Sequence, residues 1–215
     1  MLQSRTTPRV LAGLAATGAL CLCMLSVSRA DIVVKGSDGA KAGELNAWCS
    51  HHIPAVFHPQ TDVVVRQLDD SEMNAYLDGN QQGGNSNDRS SSDDNDNSDI
   101  DGVFENDPPR ITLRLPETGS PDMFTFAHEY GHFVWFDLFS GQDRKEYAAI
   151  YKKQLASHHL VTRYAATNLE EGFAEAFSFY INEAPVLNHR DPASYAFLAR
   201  WENQAENSDR LTNDN

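Results

Sequence analysis

The stretch Asp-Met-Phe-Thr-Phe-Ala-His-Glu-Tyr-Gly-His-Phe-Val-Trp-Phe-Asp-Leu-Phe-Ser-Gly, residues 122–141, decides how the chain is read. Ser120-Pro121-Asp122 supplies an N-cap, a proline at the first helical position and an acid in the first turn. A helix is therefore expected from there to about Phe139, stopping near Gly141. Phe124, Phe126, Phe133, Trp135, Phe136, Leu138 and Phe139 cover nearly every direction around it, which places such a helix in the middle of a domain. Its polar side chains, His128, Glu129, His132 and Asp137, then need partners, because an unpaired polar group in an apolar interior is costly. His128 and His132 lie one helical turn apart on one face, where both imidazoles can reach a single ion. Glu129, one step round, can touch a water held by that ion. An HExxH pattern inside a buried helix therefore points to zinc, with two merely structural histidines as the bland alternative.

A hydrolytic zinc site needs a third protein ligand and an open position for water. Leu138 stands where the HExxHxxGxxH form would place its last histidine, so the ligand comes from elsewhere. The candidate stretch is residues 168–177, Asn-Leu-Glu-Glu-Gly-Phe-Ala-Glu-Ala-Phe, in which Glu171 and Glu175 share a helical face. Asn168 can cap that helix, with Glu171 completing a capping box. The competing reading makes the two glutamates a solvated face opposite Phe173, Phe177, Tyr180 and Ile181. Against it, Ala174 and Ser178 sit beside them, and no Lys or Arg occurs between Asn168 and Asn188.

Outward from this centre, Val63 to Leu68 reads as a strand and Ser71 to Leu77 as a short helix or turn. Val103-Phe104 and Ile111 to Leu115 read as a hairpin around Asn106-Asp107-Pro108-Pro109. Ile111, Leu113 and Leu115 share one face of the second strand; as a sheet edge beside the helix, that strand would bind an extended peptide by strand addition. Further helices are expected from Arg144 to about His159, after Asn168, and from the Asp191-Pro192 start past Trp201. Strands first and helices last, with no alternating βαβ units, give an α+β domain with a small mixed sheet packed on the central helix and on further C-terminal helices. Residues 31–60 are mixed; His51, His52 and His58 lack a helical metal spacing and read as solvated or locally bonded.

Residues 1–30 read as a secretory signal peptide: Arg5 and Arg9, an apolar run from Val10 to Val27, then Ser28-Arg29-Ala30 with small residues at −3 and −1. Cleavage near Ala30 implies a secreted protein, periplasmic or extracellular, without stable membrane association. It removes Cys21 and Cys23, leaving Cys49 with no intrachain partner. It also removes three arginines, so the formal charge of −14 on 215 residues becomes −17, with no basic surplus for nucleic acid. Residues 78–102 form an acidic, low-complexity tract with seven Asp and one Arg, read as a flexible surface loop. Asp94, Asp96, Ser98 and Glu105 in and beside it nearly match a calcium loop, but Asp99 stands at the turn position and Asp101 at the usual apolar one. The expected organisation is thus a signal peptide (1–30), the N-terminal part of a catalytic domain (31–77), the acidic loop (78–102) and a catalytic core (103–215).

The run His128-Glu129-Tyr130-Gly131-His132, followed by Tyr164, Glu171 and Phe173-Ala174-Glu175-Ala176-Phe177, resembles the catalytic domain of anthrax lethal factor and the secreted Pro-Pro endopeptidases, which are gluzincin metallopeptidases of zincin-like fold. The resemblance covers roughly Val103 to Trp201. It implies Zn²⁺ held by His128, His132 and Glu171, Glu129 as general base, Tyr164 as the hydroxyl that supports the oxyanion, and Glu175 as an outer carboxylate orienting a zinc histidine. The partner it implies is a peptide or protein substrate. A non-catalytic exported metal-binding or interaction protein is the alternative; it needs neither Glu129 nor an open coordination position.

Overall fold

The computed structural model describes residues 32–36, 38–81, 100–120 and 122–213. The expected signal peptide with Cys21 and Cys23, and residues 82–99 with most of the calcium-loop-like positions, lie outside the described residues. A four-stranded mixed sheet in the order β1-β2-β4-β3 packs against a central helix, and the C-terminal helices pack on that helix in turn. β1 (Ile32–Gly36) runs parallel to β2 (Val63–Leu68), β2 parallel to β4 (Pro109–Arg114), and β3 (Gly102–Asn106) antiparallel to β4. The β3–β4 hairpin turns at Asp107-Pro108, where the sequence places it.

Two expectations about the sheet are corrected. The first concerns connectivity: α1 (Gly39–His52) joins parallel β1 and β2, so the domain does contain a βαβ unit. Within α1 only Leu45 and Cys49 are buried, leaving no apolar stripe to announce a helix; the Asp38 carboxylate caps it from the Ala40 and Lys41 amides, 2.9 and 3.2 Å away. The second concerns β4, which lies between β2 and β3 and offers no free edge for a peptide; among the described strands, the edge beside the central helix is β3. The β2 residues Val63 and Val65 and the β4 residues Ile111 and Leu113 are buried, forming the floor beneath that helix.

α2 (Asp70–Gln81) runs longer than expected and takes in residues 78–81 of the acidic tract. Buried Met73 and Leu77, spaced i to i+4, carry the helix on. Asp69 and Glu72 exchange backbone-to-carboxylate bonds of 2.8 and 3.1 Å at its start.

The central helix α3 spans Met123–Phe133 and opens into a π turn at Val134–Leu138. Its cap is Asp122, not Ser120: the Asp122 carboxylate accepts from the Phe124 and Thr125 amides at 2.8 and 3.3 Å. The π turn rotates Phe136 and Asp137 outward, so both are exposed and Asp137 needs no buried partner. Arg144 closes the turn by donating to the Trp135 and Phe139 carbonyls at 2.9 and 2.8 Å.

α4 (Gly141–Ser157), α5 (Leu169–Asn182), α6 (Ala184–Arg190) and α7 (Pro192–Asn213) complete the core. α3 and α5 cross so closely that a Cβ on Gly131 would lie 2.9 Å from Ala174 Cα, which reserves position 131 for glycine. Tyr130 ties α3 to the turn at residues 55–57 by donating to the Phe57 carbonyl at 2.7 Å. His51 and His52 are bonded to carbonyls of their own helix at 2.6 and 3.0 Å, and His58 to that of Ile53 at 3.0 Å, in keeping with a local role.

Cys49 is buried in this core and unpaired; burial pushes its thiol up to about 12. Since the thiolate is the reactive form, Cys49 is expected to stay unmodified by a thiol reagent at pH 8 in the native protein and to react promptly in denaturant. Mass spectrometry of the digest measures both.

Candidate active site

α3 brings His128 and His132 to the side of the helix that faces α5, and α5 turns Glu171 and Glu175 back toward them. The two glutamates are therefore not a solvated face. Phe173 and Phe177 bury the other side of α5, so both sides of this helix are occupied. Asn168 caps α5 as expected, accepting the Glu171 amide at 2.8 Å, but the Glu171 side chain does not return the bond of a capping box. It reaches the histidines instead.

One carboxylate oxygen, Glu171 Oε2, lies 3.0 Å from His128 Nε2 and 3.5 Å from His132 Nε2. His128, His132 and Glu171 form a group whose ligand atoms lie within 4.8 Å of one another. Zinc bonds of about 2.0–2.2 Å in tetrahedral directions set neighbouring donors about 3.3 Å apart. Two imidazole nitrogens and a carboxylate oxygen at this spacing fit that ion in type and separation. The other nitrogen of His128, Nδ1, lies 3.0 Å from Glu175 Oε1, which fixes the ring with Nε2 directed at Glu171.

The electrostatics match this arrangement. Burial works against a charge on His128, but its bonds to Glu171 and Glu175 outweigh it and raise the imidazole to about 10. Burial likewise opposes ionisation of Glu171, but His128 and His132 bring its carboxyl down to about 2. A cationic demand is thus built into the centre by its carboxylates.

Glu129 is 8 % exposed, and burial pushes its carboxyl above the usual range against the lowering influence of the nearby histidines and, more weakly, of the Phe104 backbone amide. Gly102 makes room for it: a Cβ there would lie 2.8 Å from Glu129 Cγ and Oε1 and 2.7 Å from Thr125 Cγ2. Tyr164 sits on a single 3₁₀ turn at Tyr164–Ala166, is 54 % exposed, and holds its ring 5.8 Å from that of His128. Burial of part of the ring, with Glu171 and Glu129 beside it, pushes the phenol up to about 12, so it keeps its proton at neutral pH. Of the expected site residues His128, Glu129, Tyr164 and Glu175 line one cleft, and His132 and Glu171 stand beside His128 at its edge. Ile100, Asp101, Gly102, Phe124, Thr125 and Ser178 also line it.

Three contributors escape the sequence reading. Gly102 and Phe104 act through space and through backbone on an edge strand, which no side-chain motif reports. Thr162, whose hydroxyl meets Glu175 at 2.5 Å, is signalled only by standing three residues before a turn amide.

The sequence model of a protein family described as anthrax toxin lethal factor, N- and C-terminal domain, matches residues 66–201. No curated protein matches the chain significantly. Among solved structures, the Pro-Pro endopeptidase PPEP-2 from Paenibacillus alvei superposes with a TM-score of 0.50 at 19 % sequence identity, over 78 % of this chain and 96 % of that one. At this identity the likeness is one of fold. The family match starts at residue 66 and so reaches back beyond the hairpin, where the sequence resemblance begins.

Proposed function

The chain belongs to the anthrax toxin lethal factor family, and from that premise we propose that it is an exported, zinc-dependent endopeptidase. The observation that carries the reading is the single Glu171 oxygen shared by His128 and His132 at 3.0 and 3.5 Å, with the buried Glu129 one residue along the same helix. His128, His132 and Glu171 would hold the zinc. When bound, that ion supplies a water of lowered pKa and polarises the scissile carbonyl.

The remaining steps belong to the chain. Glu129 accepts the proton of the attacking water and passes it to the leaving amine; its raised pKa suits a group that must both take and return a proton. Tyr164, protonated and exposed to the cleft, donates to the oxyanion as it develops. Glu175 keeps His128 in the tautomer whose Nε2 is free to ligate. An extended peptide would lie along β3, the strand whose Gly102 packs against Glu129 and lines the cleft. The signal-peptide pattern of residues 1–30 supports export.

The test is zinc quantification together with cleavage profiling on a proteome-derived peptide library. One zinc per chain is expected, with cleavage lost on chelation and regained on adding zinc back. A chain that binds no zinc, or that cleaves no library member when loaded, sinks the proposal.

Gly102→Ala tests the placement of the base. The new methyl forces the Glu129 side chain to shift, and a displacement near 1 Å can cost about 10²-fold in rate. A fall in kcat of that order with zinc content unchanged is expected, measured by steady-state kinetics beside metal analysis.

A further inference from the structure

Thr162 lies between the turn that carries Tyr164 and the helix that carries Glu175. Its hydroxyl donates to Glu175 Oε2 at 2.5 Å and accepts the Ala165 backbone N–H at 3.0 Å. The single hydroxyl hydrogen is thereby committed to the carboxylate, while a lone pair is committed to the turn. Glu175 uses its other oxygen, Oε1, on His128 Nδ1 at 3.0 Å. A continuous path of three bonds thus runs from the Ala165 amide through Thr162 and Glu175 to a zinc-ligand histidine. Tyr164 is the residue immediately before Ala165. Its ring is half exposed, so packing alone does not fix it, and its place relative to His128 depends on the turn.

We propose that Thr162 is a positioning residue that holds two parts of the centre with one hydroxyl: it locks the Glu175 carboxylate against His128, and it sets the turn that presents Tyr164 to the substrate. The proposal rests on the zinc endopeptidase reading above. Without the hydroxyl, Glu175 keeps one partner and is free to rotate, and the Ala165 amide loses its acceptor. Two separable defects follow: weaker zinc retention through Glu175 and His128, and a misplaced Tyr164.

The experiment compares Thr162→Val, which keeps the shape and removes the hydroxyl, with Thr162→Ser, which keeps the hydroxyl, in otherwise unaltered protein. Zinc affinity is read by competition with a chromophoric chelator. Kinetics are read at saturating zinc on a peptide taken from the cleavage profile. Thr162→Val is expected to weaken zinc binding about 10-fold, the low end for an outer-shell partner. It is also expected to lower kcat about 10-fold with KM within about twofold, as for an interaction made only in the transition state. Thr162→Ser is expected to restore both.

Double variants separate the two arms. In a Tyr164→Phe background the kcat cost of Thr162→Val should shrink while its zinc cost persists; in a Glu175→Gln background its zinc cost should shrink. Wild-type zinc affinity and kcat in Thr162→Val overturn the proposal. So does a Thr162→Ser variant as impaired as the valine, or costs undiminished in both backgrounds. Where Thr162→Val does not fold, Thr162→Ala read against Thr162→Ser carries the same comparison. A chain that binds zinc and cleaves nothing defeats the endopeptidase reading alone, and the zinc arm still decides on Thr162.

Discussion

Glu129→Gln is expected to abolish peptide cleavage while leaving zinc content and fold intact. The amide has the shape of the carboxylate and keeps an oxygen toward the Phe104 backbone amide of β3. None of the three ligand atoms of the His128, His132 and Glu171 group belongs to residue 129. What is lost is the proton acceptor, and a positioned acid–base group is worth roughly 10²–10⁴-fold in rate. Stability moves the other way. The Glu129 carboxyl is raised by burial, so its contribution is fully present at low pH and falls away as pH rises through its folded value, where the buried charge must form. A neutral amide never forms that charge. Measured with zinc chelated at neutral pH, Glu129→Gln should therefore unfold at a temperature no lower than wild type. Wild-type turnover in this variant would remove Glu129 from the chemistry.

Glu171→Ala and Glu175→Ala are expected to separate a ligand from its support. Glu171 Oε2 is the one atom common to both histidine contacts, so its removal leaves two imidazoles and no third donor. Zinc should then be lost on dialysis and cleavage with it. Of the two histidines Glu175 meets only His128, at Nδ1 on the side of the ring away from Glu171, so its removal loosens the ring without deleting a donor. A fall of about 10–100-fold in zinc affinity is expected, with cleavage returning when zinc is supplied in excess. Metal analysis across a chelator series ranks the two. If Glu175→Ala costs more zinc than Glu171→Ala, the roles are the reverse of those assigned.

The helix bearing both histidines was legible because its pattern is local: five consecutive residues carry the His-Glu-Tyr-Gly-His signature, and the aromatic surround announces burial. The β3–β4 hairpin was equally local, with its turn residues lying side by side in the chain. The β1–α1–β2 unit was not, since α1 buries only Leu45 and Cys49 and shows no periodic stripe. Which strand forms the edge was hidden for a different reason. β3 and β4 are both short and half-apolar, and only the long-range pairing of β4 with β2 closes its second side. Glu171 and Glu175 were legible as a pair on one face, but that face becomes a site only because α3 crosses it. Ser120 and Asp122 are both acceptable caps, and the choice between them is made by two backbone amides that the sequence does not locate.

The close crossing at Gly131 separates two kinds of tolerance within one five-residue motif. In a saturation library sorted only for folded protein, His128, Glu129 and His132 should accept more replacements than Gly131, because their contacts across to α5 and β3 end in side chains that can shift. Gly131 should accept almost none, since any side chain drives α3 and α5 apart at Ala174. Sorted for catalysis, all four positions close. The glycine of His-Glu-Tyr-Gly-His is thus read by the architecture and its neighbours by the chemistry, and the two selections can be told apart one letter at a time.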